Sequence, residues 1–390
     1  MPQNGPVLSP ADVKWLASPE GAAAIQAARA LPADPLVRGT ELRRLIPDPH
    51  FAALAATAAS LDGPLRILTR EGLEQGTHPA VATWRAEWLN AHGVRSIADL
   101  TAGLGFDTVA FCAAGMQVSA VEREPGIAAA LAVNAPEATV VCASAQEVEL
   151  AGFDAVFIDP ARRDLGAAHD GYRARAERDP QKWSPPLSWA IGLPNACIKV
   201  APGIDRDLIP DGWHAIWTSR DRSLLEALLI GPVLNTEGLA RSAHVLGAGM
   251  FGSAHRISAP GDVGPVGQFL IEPDDAVIRA GLVADLGREI GATLIDEHVA
   301  WLSGDHAALT PFARSYRVLA QLPNKPKQLR AALIERGYGN VVVKTRAVQV
   351  TPEALRAQLK LPGGASATLV VTRAAGAGVT YLVEAVSSSS

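Results

Sequence analysis

Cysteine is scarce: Cys112, Cys142 and Cys197 are the three in 390 residues, and no two of them form a Cys-x-x-Cys pair. That spacing argues against a disulfide framework and against a structural zinc site, so the three read as buried thiols. No stretch approaches the roughly 20 uninterrupted apolar residues of a membrane span, and no membrane is expected among the partners. The start, "MPQNGPVLSP", has neither the basic nor the apolar block of a signal peptide, which points to a cytoplasmic protein. The nine histidines show no HExxH or other ligand spacing, so no metal is expected. There is no internal repeat.

What is present is a chain able to bury large cores. Apolar residues make up 48% of it, and its length suggests two or three domains. The net charge of −5 is unevenly spread. From Pro311 onward eleven Lys or Arg face Glu335, Glu353 and Glu384, a balance of +8 that leaves −13 for the rest. A basic appendage on an acidic body suits a polyanion, since phosphate contacts supply most nonspecific affinity for nucleic acid. A solvated helix face is the equal alternative.

Punctuation divides the chain into four regions, 1–92, 93–262, 263–310 and 311–390. Ser9-Pro10 and Ser18-Pro19 each pair a cap with a first-turn proline, and the Ala-rich segments up to Leu61 read as helices. Another helix is expected from Pro79 to Ala91, closed by His92-Gly93. From Ser96 to about Pro260, β-rich runs such as "SIADL", "QVSAVE", "TVVCAS", "DAVFIDP", "NACIKVAP", "WHAIWTS" and "SAHVLGA" alternate with helical ones. That alternation predicts an α/β, Rossmann-like, doubly wound and mostly parallel sheet. Residues 263–310 read as a mixed connecting segment with a helix after Glu272-Pro273, and the last eighty residues as a small α+β unit ordered strand, helix, strand, helix, strand, strand.

The stretch "ADLTAGLGFDT" ends the first of these strands, where open α/β sheets hold their ligands. Gly103 and Gly105 let a ligand approach the backbone closely, but Thr108 stands where a dinucleotide fingerprint would place its third glycine. Asp99 and Asp107 would crowd a pyrophosphate. They suit a cationic, phosphate-free ligand, and S-adenosylmethionine, with a sulfonium and an ammonium, has that character. Asp99 and Asp107 would hold its charged end, Thr101 and Ala102 would line the turn, and Glu122, followed by Arg123 at the end of the second strand, would accept the ribose hydroxyls. Ser144 and Ala145 would sit beside the adenine, and Asp159-Pro160 would lie across from the glycine turn.

"DLTAGLGFDT", Glu122 and "FDAVFIDPARRD" together resemble the class I S-adenosylmethionine-dependent methyltransferases. "SPPLSWAIGLPNACIKVAPGID", "IEPDDAVIRAG" and "VVVKTRAVQVTPEALRAQLKL" are similar to bacterial members that carry a C-terminal THUMP-like domain, and the resemblance runs from about Leu73 onward. It implies a methyl-transferring enzyme with S-adenosylmethionine as cofactor, and, since THUMP domains proper bind RNA, an RNA partner. One departure is Ser144, where the family often has an acid that recognises adenine. Thr77-His78-Pro79 resembles the segment that covers the cofactor in guanine-N2 cap methylases, which adds Thr77 to the cofactor residues.

Methyl transfer is an in-line displacement, so alignment of the acceptor dominates catalysis. Asp159 is expected to accept a hydrogen bond from a substrate amine, with Pro160 fixing the backbone, as in the Asn/Asp-Pro pairs of methylases acting on exocyclic base nitrogens. Those usually add an aromatic stacker, whereas Ala161, Arg162 and Arg163 follow here; the two arginines, together with Lys199, are the expected substrate contacts. Tyr172, Trp183 and Trp189 are candidate stackers. No cysteine follows Pro160, which disfavours methylation at pyrimidine carbon 5. Three readings remain: an RNA methyltransferase, a small-molecule methyltransferase whose tail dimerises or covers the pocket, and a non-catalytic RNA-binding protein with a vestigial cofactor pocket.

Overall fold

Proline starts helix after helix in this chain, because its missing N–H is one that the first turn leaves unbonded in any case. The computed structural model describes residues 8–32, 34–161, 177 and 179–386. Four helices come first, α1 (Pro10–Leu16), α2 (Pro19–Ala30), α3 (Pro35–Leu45) and α4 (Pro49–Ala59), followed by α5 (Arg70–Gln75) and α6 (Pro79–Ala91). Ser9, Ser18 and Asp48 each accept a backbone N–H of the turn they open. Then β1 (Ser96–Asp99), α7 (Phe106–Ala113), β2 (Gln117–Val121), α8 (Pro125–Asn134), β3 (Thr139–Val141), β4 (Ala155–Ile158), α9 (Leu187–Ala190) and β5 (Ala196–Val200) alternate as expected. They are followed by β6 (His214–Arg220), β7 (Ser223–Ile230), β8 (Arg241–Val245) and β9 (Gly249–Ser253).

The chain divides into two compact units, residues 1–200 with 228–236, and residues 201–227 with 237–390. In the first, β1 to β5 are ordered β3-β2-β1-β4-β5 and pair in parallel, with Leu228–Ile230 at the end of β7 beyond β5. Parallel strands buried on both faces read as apolar runs, and Ala155 to Ile158 are all buried. Helices α1 and α4 pack against the turn after β1 and against α8. Leu8, Val13, Leu16 and Leu54 share one apolar cluster with Leu104 of the glycine turn and Ala130 of α8. Asn134, the last residue of α8, donates to the Leu104 and Ile67 carbonyls (both 2.9 Å) and accepts from the Ile67 N–H (2.7 Å).

In the second unit, β6 and β8 pair in parallel and β8 and β9 antiparallel. The mostly parallel expectation therefore fails at this end. Asp221 and Arg222, both at positive φ, turn the chain from β6 into the unforeseen β7. The rest comprises β10 (Phe269–Pro273), α10 (Asp275–Arg279), α11 (Val283–Ile290), β11 (Thr293–Leu294), β12 (Leu302–Gly304), β13 (Ala313–Leu322), α12 (Pro326–Glu335), β14 (Asn340–Thr345), α13 (Pro352–Leu359), β15 (Ser366–Ala374) and β16 (Ala377–Ala385). Its strands form one sheet in the order β11-β12-β10-β13-β16-β15-β14. Residues 263–310, expected as a connecting segment, supply three of those strands. One sheet face packs Leu369 and Leu382 against Leu329 and Leu333 of α12 and Leu355 and Leu359 of α13; the other packs Val370 and Tyr381 against Trp301 and Tyr316.

The basic tail is partly neutralised within this unit. Buried Glu272 accepts from Lys344 (2.9 Å) and Tyr316 (3.1 Å) and lies 3.3 Å from Arg222, while Arg346 and Arg373 approach Asp275 and Asp296. Exposed basic side chains remain on β13 (Arg314, Arg317), on α12 and its N-cap (Lys325, Lys327, Arg330), just after it (Arg336) and after α13 (Lys360), while Arg356 of α13 pairs with Glu353 at 3.1 Å.

Gly126 shows how tightly the first unit is closed. A Cβ built there would lie 1.5 Å from the Leu8 carbonyl oxygen, a backbone atom that cannot swing aside. Gly126→Ala is expected to cost about 1–3 kcal/mol and to lower the midpoint of urea unfolding; an unchanged midpoint would mean that the α1–α8 seam is loose.

Candidate functional site

Every expected site residue that the structure describes lies in the first unit, most of them at the carboxyl ends of β1, β2, β4 and β5. The turn after β1 takes its shape from backbone geometry. Gly103 and Gly105 adopt φ +53° and +96°, left-handed values that favour glycine, and Gly105 is the N-cap of α7. A side chain at Gly105 would meet Leu131, whereas a Cβ at Gly103 would meet nothing within 4 Å. The turn is tied to its neighbours by backbone bonds: Ala102 N–H to Val121 (3.0 Å), and Leu100 N–H to Phe157 (2.9 Å). Thr101 uses its hydroxyl to accept the Asp159 N–H at 2.6 Å, fixing the end of β4 against the end of β1.

The two acids flanking the glycines have different surroundings. Asp107 is fully engaged: Oδ1 pairs with Arg85, and Oδ2 accepts from the Thr77 hydroxyl at 2.6 Å. Arg85, completely buried on α6, also lies over the Phe157 ring at 4.7 Å. Asp99 is completely buried as well; Oδ2 accepts from the Thr108 hydroxyl at 2.6 Å, and Oδ1 has no hydrogen-bond partner. Burial, reinforced by Asp107 and Asp159 and opposed by the Thr108 hydrogen bond, pushes the Asp99 carboxyl up to about 7.

Glu122 holds the turn from the next strand, its Oε2 accepting the Gly103 N–H (3.1 Å) and its Oε1 the Glu124 N–H (2.8 Å). Each oxygen keeps a second lone pair for a ligand hydroxyl. Arg123 donates to Ser184 at 3.1 Å. Ser144 caps the short 3-10 turn Ala145–Glu147, and its N–H donates to the Glu147 carboxylate. The Ser-x-x-Glu capping box is the sequence signal of that turn.

Asp159 and Lys199 meet just past β4 and at the end of β5. Ile158 and Ile198 are register partners in parallel strands, so the next residue of each strand falls at the same level. Lys199 Nζ donates to Asp159 Oδ2 at 2.6 Å and to Thr77 Oγ1 at 2.9 Å. Among the described residues Asp159 Oδ1 accepts no hydrogen bond. Pro160 is buried, and Ala161 pairs with Ser184.

Some expectations land elsewhere. Arg162, Arg163 and Tyr172 lie outside the described residues. Trp183 is buried and donates its indole N–H to the Glu177 carbonyl at 3.1 Å, so it is not a free stacking surface; Trp189 is half-buried. The cysteines are not uniformly buried thiols either. Cys197 is buried, Cys112 half-buried and Cys142 exposed, because Cys142 follows β3 on the sheet's edge. Arg85 was missed in the sequence. Its signal was spacing: Val81, Arg85 and Leu89 recur every four residues on the buried face of α6, and an arginine there needs an acid.

The site fits a small cation with a ribose. It offers an orphaned buried carboxylate oxygen on Asp99, a bare backbone at Gly103 and a carboxylate at Glu122 with lone pairs to spare. Comparison with known proteins agrees. Residues 313–385 match the family described as THUMP domain-like. The chain is 30% identical over 323 residues, 79% of its length and 84% of the relative's, to an uncharacterised S-adenosylmethionine-dependent methyltransferase of Mycobacterium tuberculosis. It is 40% identical over 86 residues, 20% of its length and 32% of the relative's, to the ribosomal RNA small subunit methyltransferase J of Alkalilimnicola ehrlichii. The crystal structure of a Porphyromonas gingivalis W83 protein described as a methyltransferase superposes with a TM-score of 0.71 at 19% identity, covering 93% of this chain and 96% of that one, and shares the fold.

The raised Asp99 carboxyl predicts pH-dependent cofactor binding. Below about pH 7 the free site holds the carboxyl protonated, and a cation beside it favours the ionised form, so binding must release a proton. Calorimetry between pH 5.5 and 7 should show S-adenosylmethionine affinity rising by up to about tenfold per unit, with Asp99→Asn flattening the dependence. A slope unchanged in Asp99→Asn would mean that another group carries it.

Proposed function

Because the chain belongs to the S-adenosylmethionine-dependent methyltransferases, we propose that it methylates a base nitrogen of RNA, ribosomal or transfer, with Asp159-Pro160 aligning the acceptor. The observation that carries this reading is Asp159 itself, a carboxylate at the end of β4 with Oδ2 clamped by Lys199 and Oδ1 accepting no bond among the described residues. When bound, S-adenosylmethionine supplies a methyl group on a sulfonium, whose S–C electron pair goes to sulfur as the acceptor nitrogen's lone pair forms the new bond.

Asp159 does the work on the acceptor side. An exocyclic amine has an N–H to donate to Oδ1, and accepting it fixes the nitrogen and enriches its lone pair. After transfer the nitrogen sheds that proton, which Asp159, with its side chain 31% exposed, passes to solvent. Gly103 and Glu122 hold the cofactor's backbone-facing side and ribose, Arg123, Ser144 and Ala145 border its adenine end, and Asp99 meets its ammonium. Arg162 and Arg163 remain the proposed substrate contacts, whereas Lys199, expected beside them, is turned to Asp159 and Thr77.

The proposed catalytic unit is residues 1–200 with 228–236, which includes the helical region over 1–92. The tail, whose sheet takes three strands from 263–310, holds the RNA. Its support is the exposed basic set on and around α12 and after α13, which remains once Lys344, Arg346, Arg356 and Arg373 are paired with acids. A similarity to the rRNA methyltransferase J of another organism and the THUMP-like match point the same way.

Mass spectrometry of nucleosides from cells with and without the gene should reveal one missing N-methylated base; identical profiles would remove RNA as the substrate. Asp159→Ala should lower kcat by about 100-fold or more and leave cofactor affinity within about threefold; unchanged turnover would take Asp159 out of the mechanism. Replacing Lys325, Lys327 and Arg330 by Gln should flatten the salt dependence of RNA binding by about two to three log units per log unit of salt. A slope unaffected by those changes would put the RNA on another surface.

A further inference from the structure

We propose that Lys199 is a positioning residue for methyl transfer, fixing the Asp159 carboxylate at the end of a hydrogen-bonded chain that runs Arg85, Asp107, Thr77, Lys199, Asp159. The inference rests on the reading of Asp159 as the group that aligns the acceptor.

The direction of every link is set by chemistry. An ammonium has only hydrogens to give, so Lys199 donates to both Asp159 Oδ2 (2.6 Å) and Thr77 Oγ1 (2.9 Å). A threonine hydroxyl has one hydrogen, and with its oxygen accepting from Lys199 that hydrogen goes to Asp107 Oδ2 (2.6 Å). The other Asp107 oxygen is held by Arg85. Charge alternates along the chain, positive, negative, neutral, positive, negative, so each buried ion faces an opposite one. Arg85 is fully buried, Thr77 is 4% exposed, and the Lys199 side chain 13%. Ordered groups that dry leave one geometry for Asp159, with Oδ2 spoken for.

The chain also joins the two halves of the site. Asp107 is in the first turn of α7, directly after the glycine turn, and Thr77 precedes α6; both border the cofactor residues. Asp159 is on the acceptor side. Lys199 is the link between them, so its loss should spare cofactor binding and damage the transfer step.

The test uses the full chain, tritiated S-adenosylmethionine and RNA from cells lacking the gene. Lys199→Met should lower kcat by about 30- to 100-fold and change the cofactor dissociation constant and the RNA KM by less than about threefold. Lys199→Arg, which can still donate to both oxygens, should recover about a third or more of the activity lost. Thr77→Ser should behave as wild type, and Thr77→Val should lose about tenfold in kcat. Wild-type kcat in Lys199→Met, or equal losses in kcat and cofactor affinity, would overturn the proposal. A second measurement needs no RNA: the Nζ resonance of Lys199 in 15N-lysine spectra, identified by its absence in Lys199→Arg, should move in both Asp159→Asn and Thr77→Val. A resonance unmoved by Asp159→Asn overturns the clamp. A wild-type chain that transfers no methyl to RNA counts against the base-nitrogen reading, and the resonance then decides on the clamp alone.

Discussion

The site is organised around one buried ion pair. Arg85 and Asp107 sit in the dry space between α6 and α7, and neither tolerates burial without the other, since removing one partner of such a pair typically costs about 3–5 kcal/mol. Once paired, they fix α6 against α7, and with α7 the glycine turn that opens it. Thr77 is then drawn in as the second donor to Asp107, and Lys199 as the donor to Thr77. The same guanidinium lies over Phe157 of β4, so the strand that ends in Asp159 is touched by the same pair. The glycine turn and the Asp159 carboxylate are therefore set by a single local arrangement of charge.

That arrangement leaves an excess of negative charge in a particular place. Arg85 answers Asp107, and Lys199 answers Asp159. Asp99 has neutral donors, the Thr108 hydroxyl chief among them, and no counter-charge. Burying a bare carboxylate is costly, so Asp99 lies close to protonation at neutral pH, and a cation is what would relieve it. A pyrophosphate would do the opposite, adding negative charge next to Asp99 and Glu122. The preference for a sulfonium-bearing ligand thus comes from which acid is left without a counter-charge, more than from the number of acids around the glycines.

Much of this was legible from local signals and the rest was not, for reasons visible in particular residues. Ser9-Pro10 and Ser18-Pro19 announced helix starts because capping is a contact between neighbours in sequence. The tail's strand, helix, strand, helix, strand, strand order also matched, since each element carries its own periodicity. By contrast "SLLEALLI" is built from good helix formers and became β7, with no Gly or Asn at the turn before it; tertiary pairing overrode propensity. Strand pairing between 263–310 and the tail was equally invisible, because β10 joins β13 across some forty residues. In the site, Gly103, Gly105, Glu122 and Asp159 followed from strand-end position. Division of labour between Asp99 and Asp107 depended on Arg85 and Thr77, two residues on a preceding segment whose relevance appears only when α6 and α7 meet.

The tail illustrates how a charge count and a charged surface differ. Eleven basic residues against three acids looked uniformly cationic, yet Lys344 is consumed by buried Glu272, while Arg346 and Arg373 sit near Asp275 and Asp296. Those three lie on or beside β14 and β15, and their acids come from residues before 311, so the sheet settles much of its own charge. The helices α12 and α13 have their leucines turned to the sheet and carry cations on what is left. Only unpaired, solvated cations release counterions when they meet a phosphate backbone. The cations that matter for a polyanion are accordingly the exposed ones of α12 and its ends, Lys360 after α13, and Arg314 and Arg317 of β13, whereas Arg356 of α13 is paired with Glu353; the paired ones of β14 and β15 serve to hold the sheet on which the helices rest.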